Sequence, residues 1–188
     1  MSKNPSKPAS DKTRIMVRPC FEHDIEQVAM IYAHHVTTGT GTFETTPPPV
    51  REMKERWTKV VTRGWPYMVA SPQEDPSRIV GFAYAQQFRD RAAYAHAFED
   101  SVYVAPGWER RGVGVALLGT LLKELQSLDC RQVIAVIGDS ANAASIALHA
   151  KAGFSHVGTL WNVGWKFGRW LDVVMMQREL PPTDENRH

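Results

Sequence analysis

At 188 residues with 43% apolar content, the chain is long enough to bury the core of one compact domain, which excludes fibrous and disordered readings. Its 22 basic residues are scattered among 20 acidic ones for a formal charge of +2, so the basic footprint of a nucleic-acid binder is missing. Two cysteines, Cys20 and Cys130, have neither CxxC spacing nor neighbouring His ligands, which predicts unpaired thiols in a reducing compartment and no metal site.

The first thirteen residues, MSKNPSKPASDKT, are polar and predict a disordered tail over 1–13, without the apolar stretch of a signal peptide or membrane span. The expectation is a cytoplasmic protein with no membrane partner. Residues 14–18 (RIMVR) alternate like a half-buried strand, and 21–36 carry Ile25, Val28, Ala29 and Tyr32 at helical spacing. The run GTGTFETTPPP over 39–49 holds glycines and three consecutive prolines that no regular element accommodates, so it predicts a long loop, and such loops are often functional. A second helix follows over 50–63, with Met53, Trp57 and Val60/Val61 on one face. Residues 67–70 and 79–88 predict a hairpin, and 97–104 a strand that stops at Ala105-Pro106-Gly107.

Leu118, Leu121, Leu122, Leu125 and Leu128 recur at helical spacing within 112–128, so one face of that helix is expected to be buried. Residues 132–137 (QVIAVI) have the content of a buried strand, and 142–151 predict a helix that stops at Gly153. The stretches 154–165 and 170–179 close the domain as a strand pair turning at Phe167-Gly168-Arg169, with 181–188 a polar tail. This order, strand, two helices, three strands, helix, strand, helix, two strands, predicts a mixed sheet with helices on its faces, an α/β (α+β) domain over 14–180.

The segment SVYVAPGWERRGVG over 101–114 places a strand, a Gly-containing turn and a long amphipathic helix in succession. A helix N-terminus offers unpaired N–H groups and a positive dipole end, which suits a pyrophosphate. Gly112 and Gly114 leave room for close approach, and Arg110 and Arg111 add charge. An ordinary strand-to-helix turn remains the plain alternative. A P-loop is absent, and the third glycine of a dinucleotide fingerprint is missing.

ERRGVG (109–114) resembles the Q/R-x-x-G-x-G/A acetyl-CoA motif of the GCN5-related (GNAT) acetyltransferases, with Glu109 at the position usually held by Gln or Arg. NAASIALHAKAGF (142–154) is similar to a second segment of that family, N-x-x-S-x-x-L-(Y/H)-x-x-x-G-F. EDSVYV (99–104), FRDRAAY (88–94) and VGWKFGRWLD (163–172) resemble the phosphinothricin and methionine sulfoximine acetyltransferase subfamily, so the resemblance runs from about residue 14 to residue 180.

The resemblance implies a sheet of about six or seven strands with a splayed acetyl-CoA cleft. It also implies direct acetyl transfer to the amino group of a small amino-acid-like substrate, without metal, by a homodimer. Val102, Tyr103 and Val104 would pair the pantetheine arm, Arg110, Arg111, Gly112, Val113, Gly114 and Val115 hold the pyrophosphate, and Asn142 and Ser145 belong to the second coenzyme segment. Glu99 is the implied base, with Asp100 its rival; strand alternation sends the two to opposite faces, so only one is expected in the cleft. His149 is placed near the coenzyme sulfur to protonate the leaving thiolate. Phe43, Glu44, Arg89 and Arg91, with Glu99, border the acceptor.

The residues by themselves leave other roles open: Asn142 as a helix N-cap, His149 as a packing residue at the core edge, the two arginines as solvated loop charges. Other functions stay open too: a GNAT enzyme acting on another small amine or a protein N-terminus, or a non-catalytic acyl-CoA sensor.

Overall fold

The computed structural model describes residues 13–182. All but one residue of the expected N-terminal tail, and the last six of the C-terminal one, lie outside that range. The strands are β1 (Ile15–Pro19), β2 (Tyr67–Pro72), β3 (Gly81–Gln87), β4 (Ala97–Val104), β5 (Gln132–Gly138), β6 (Ser155–Lys166) and β7 (Arg169–Glu179). The helices are α1 (Ile25–Thr38), α2 (Val50–Val61), α3 (Val113–Ser127) and α4 (Ala143–Lys151). They follow the order predicted from periodicity. A 3-10 turn, Glu22–Asp24, leads into α1, and a second, Ala92–Tyr94, lies in the β3–β4 connection.

One seven-stranded sheet runs in the order β1-β2-β3-β4-β5-β7-β6, antiparallel throughout except for the parallel pair β4–β5. That pair holds register only from Ala97↔Gln132 to Asp100↔Ala135, whereas β4 continues to Val104 and β5 to Gly138. Beyond Asp100 the two strands part, which makes the sheet open in its middle.

Side chains alternate along β4, and the helices divide accordingly. Tyr103 meets Tyr32 of α1 with ring centroids 5.1 Å apart, whereas Asp100, of opposite parity, meets His149 of α4. Thus α1 and α2 cover one face and α3 and α4 the other. Leu117, Leu118, Leu121, Leu122 and Leu125 of α3 are buried in the core. Leu128 is not: the helix ends at Ser127, and Leu128 is an exposed C-cap residue. The β6–β7 turn is Phe167-Gly168, both at positive φ (52° and 71°), the backbone of a two-residue type I′ hairpin.

Candidate active site

The opened middle of the sheet gathers most of the residues expected to act. Ala105 N–H donates to Val80 O on the β3 side at 2.9 Å. Successive peptide groups point to opposite strand edges, so Val102 and Val104 turn theirs toward the opening. The Val104 carbonyl accepts Nε2–H of His35 at 2.8 Å, and burial lowers the pKa of that histidine below its ordinary 6.5, which keeps it a neutral donor. Nothing in the local sequence of α1 marks His35; its partner is 69 residues away.

The turn after β4 leads into α3 through backbone that few side chains tolerate. Arg110 has φ 60°, and Gly112, the N-cap of α3, has φ 85°. A Cβ on Gly112 would meet nothing within 4 Å, so glycine is needed there for its conformation. Gly114 serves packing instead, because a Cβ there would lie 3.2 Å from Leu148 of α4. Val113 is buried in the core and Val115 is exposed, so the two differ in what they offer a ligand. The Arg111 guanidinium lies 5.0 Å from the centre of the Trp108 ring. Arg110, Arg111 and Gly112 all face solvent, and an anion at the α3 N-terminus would find their amides unobstructed.

On the far side of the opening, Asn142 Oδ1 accepts Ser145 N–H at 3.2 Å and caps α4. His149 is almost fully buried: Nδ1 is 2.8 Å from Ser145 O, and Nε2 is 3.0 Å from Asp100 Oδ2. A carbonyl and a carboxylate oxygen both accept, so both ring nitrogens carry protons. Burial opposes the charge, but the Asp100 bond and charge and the Ser145 carbonyl outweigh it, and the pKa is raised. With both N–H groups engaged, proton donation to a thiolate requires one of these bonds to open.

Glu99 projects to the α1/α2 face. Burial raises its carboxyl pKa above the ordinary 4.5, Arg89 opposes this and Asp100 adds to it. Arg89 Nη1 lies 3.9 Å from Glu99 Oε2, and its guanidinium packs on the Phe88 ring at 4.0 Å. Arg91 is exposed on the same connection. Gln87, which the sequence did not single out, donates from Nε2 to Arg89 O at 2.7 Å and Arg91 O at 2.8 Å, so it pins the segment bearing both arginines.

The 39–49 loop folds back over the opening. Phe43 lies in a notch between Gly138 at the end of β5 and Gly164 on β6. Lys166, buried, donates to Gly39 O at 2.8 Å and Thr42 O at 2.7 Å and so fixes the loop to β6. Glu44 binds Arg56 of α2 at 2.6 Å, and Arg56 also binds Glu52. Tyr84 pairs with Ser101, which shares its face of β4 with Glu99 and Tyr103, and Arg56, which holds Glu44, lies 5.9 Å from the centre of the Tyr32 ring, so the two carboxylates border one aromatic floor of Tyr32, Tyr84 and Tyr103. Phe43 is thus held as a wedge between strands, while Glu44 and Glu99 border the same floor. Among the described residues no cluster of three or more His, Cys, Asp or Glu side chains could hold a metal ion, and no helix is long and apolar enough to cross a membrane.

The acetyltransferase (GNAT) family pattern matches residues 28–154. A phosphinothricin N-acetyltransferase of Alcaligenes faecalis is 48% identical over 168 residues, 89% of this chain and 84% of the relative. An L-methionine sulfoximine/L-methionine sulfone acetyltransferase of Pseudomonas aeruginosa is 33% identical over 167 residues, 89% of this chain and 95% of the relative. Among solved structures, a GNAT phosphinothricin acetyltransferase from Sinorhizobium meliloti in complex with AcCoA superposes with a TM-score of 0.85 at 39% identity, over 90% of this chain and 94% of that one. The match over most of the chain, on a sheet opened between β4 and β5, means that the protein belongs to the acetyltransferase (GNAT) family.

Proposed function

We propose that the protein transfers the acetyl group of acetyl-CoA to the primary amine of an amino-acid-like acceptor of the phosphinothricin, methionine sulfoximine or methionine sulfone type. The observation that carries this reading is the half-buried Glu99 beside Arg89, on the aromatic floor next to the opened strand edge. The coenzyme fits the other side of that opening. Its pyrophosphate meets the amides of the positive-φ turn at the α3 N-terminus, and its pantetheine arm lies along the edge of Val102–Val104 that β5 leaves unpaired, beside the His35 bond to Val104 O. Arg89 and Arg91 receive the acceptor carboxylate.

Glu99 takes a proton from the acceptor ammonium, the freed nitrogen attacks the thioester carbonyl carbon, the C–S bond breaks, and the departing thiolate is protonated by the His149 imidazolium, which is restored by the second proton that the nitrogen sheds as the amide forms. The raised pKa of Glu99 suits a base working near neutrality. Direct transfer is supported by the two buried thiols: burial pushes Cys20 up to about 12 and Cys130 up to about 11, so neither is a ready nucleophile for an acetyl-enzyme. These two free cysteines also suit the reducing cytoplasm. Trp161, Val163, Trp165, Phe167 and Trp170 stay exposed on the β6–β7 hairpin, and β6 is an edge strand, which favours a homodimer closed through this hairpin.

The test compares thiol release from acetyl-CoA with methionine sulfoximine, phosphinothricin, ordinary amino acids and an N-terminal peptide, for the native protein and Glu99→Gln. Turnover of the sulfoximine or phosphinothricin falling by about 10²–10⁴ in the variant, with acetyl-CoA binding retained, is the expected result. Turnover of none of these acceptors despite tight acetyl-CoA binding refutes the acceptor class.

A further inference from the structure

Asp100 and His149 form a buried ion pair at the last rung before β4 and β5 part, and the transfer chemistry outlined above does not use the carboxylate. Its side chain is 1% exposed and that of His149 5%, with Nε2 and Oδ2 at 3.0 Å. The other oxygen, Oδ1, is buried without a hydrogen-bond partner. A buried carboxylate with one oxygen unpaired is costly unless a cation compensates it, and here the cation is the imidazolium.

We propose that Asp100 is a positioning residue for the acetyl transfer: by clamping His149 at the root of the opening, it holds the imidazole in its cationic form and in one orientation. This rests on the transfer reading above. Three geometric facts support it. The ring has a carbonyl on one nitrogen and a carboxylate on the other, so either neutral tautomer would set a lone pair against an acceptor oxygen. The Phe154 ring stands edge-on to His149, centroids 5.0 Å apart, and blocks rotation on a side that offers no hydrogen bond. Among the described residues, the side chains hydrogen-bonded to His149 are Asp100 from β4 and Ser145 from α4, and of these Asp100 alone carries charge. Asp100 also lies beside Glu99 in the chain and raises the pKa of that base. One carboxylate therefore biases both the group that must accept a proton and the cation at the opening.

The experiment is a pH titration of the 15N-histidine-labelled full chain by long-range 15N–1H correlation, with the His149 signals assigned by their loss in His149→Gln. Turnover against pH is measured in parallel for the native protein and Asp100→Asn. In the native protein His149 should remain doubly protonated above the ordinary histidine range. In Asp100→Asn its titration should fall by about one pH unit or more, and both limbs of the pH–rate profile should slide to lower pH together, a change of about tenfold in turnover on the alkaline side. A native His149 that is neutral at pH 7 overturns the proposal, and so does an Asp100→Asn variant that melts earlier while its pH profile stays in place. Should Asp100→Asn not fold, the native titration decides. The NMR arm needs no acceptor, so failure of the acceptor class leaves it standing.

Discussion

Substituting Gly164 by alanine tests how the 39–49 loop is held over the site. A Cβ built on Gly164 would lie 2.5 Å from Cδ2 and 2.8 Å from Cζ of Phe43, with Cε2 nearer still. Carbon atoms pack at about 3.5–4.0 Å, so the ring has to leave the notch. It cannot slide toward β5, because a Cβ on Gly138 would already be 2.9 Å from Cε1 of the same ring, a measure of how closely the ring approaches that backbone. Overpacking of this kind costs about 1–3 kcal/mol. In a Phe43→Ala background the clash is gone, and alanine in a strand is about 0.5–1 kcal/mol better than glycine. The Gly164→Ala change should therefore turn from destabilising to neutral or mildly stabilising, a coupling of about 1–3 kcal/mol in the double-mutant cycle. Urea denaturation of the four proteins, compared at constant m, measures it. Since Glu44 follows Phe43, the single Gly164→Ala variant should also raise the acceptor KM several-fold and leave that of acetyl-CoA unchanged. A cycle additive to within about 0.5 kcal/mol would refute the wedge.

Gln87→Glu keeps shape but replaces the two N–H donors that hold Arg89 O and Arg91 O with acceptor oxygens. Losing both bonds, each worth about 0.5–1.5 kcal/mol, should raise the acceptor KM about tenfold with kcat and the acetyl-CoA KM intact, as steady-state kinetics will read. Gly112→Ala forces a side chain onto backbone at φ 85°, which costs about 1–2 kcal/mol; calorimetry should show weaker acetyl-CoA binding together with a lower melting temperature. Replacing Trp161 and Trp165 together by serine should convert a sedimenting dimer into a monomer, and a native protein that already sediments as a monomer at micromolar concentration rules out the hairpin interface.

The elements of the fold were legible because their cause is local. Hydrophobic period marked α1, α2 and α3, and the Pro-rich run at 47–49 marked the loop end, each within a window of a few turns. Leu128 shows the limit of that reading: it keeps the spacing of the α3 stripe, but the helix ends one residue earlier and the side chain is left in solvent. The turn at 105–114 was legible for the same local reason, since glycines between a strand and a helix announce their own backbone conformation. Strand alternation also separated Glu99 from Asp100 correctly, but it pointed only to opposite faces and could not say that α4 would lie against one of them.

What stayed hidden is a set of polar contacts between distant parts of the chain. Asp100 and His149 are 49 positions apart, His35 and Val104 69, Lys166 and Thr42 124. The first two join a helix to β4 where it parts from β5 and leaves backbone groups without the partner strand that normally satisfies them, and the third ties the 39–49 loop to β6. A sheet that parts in its middle to admit a ligand gives up those ladder bonds, so the walls of the opening need other pins. Here the half-buried His35, the buried Lys166 and the buried Asp100–His149 ion pair supply them. Their side chains are ordinary for helix and strand positions, so periodicity passes over them, and their role becomes visible only once the sheet has been seen to open.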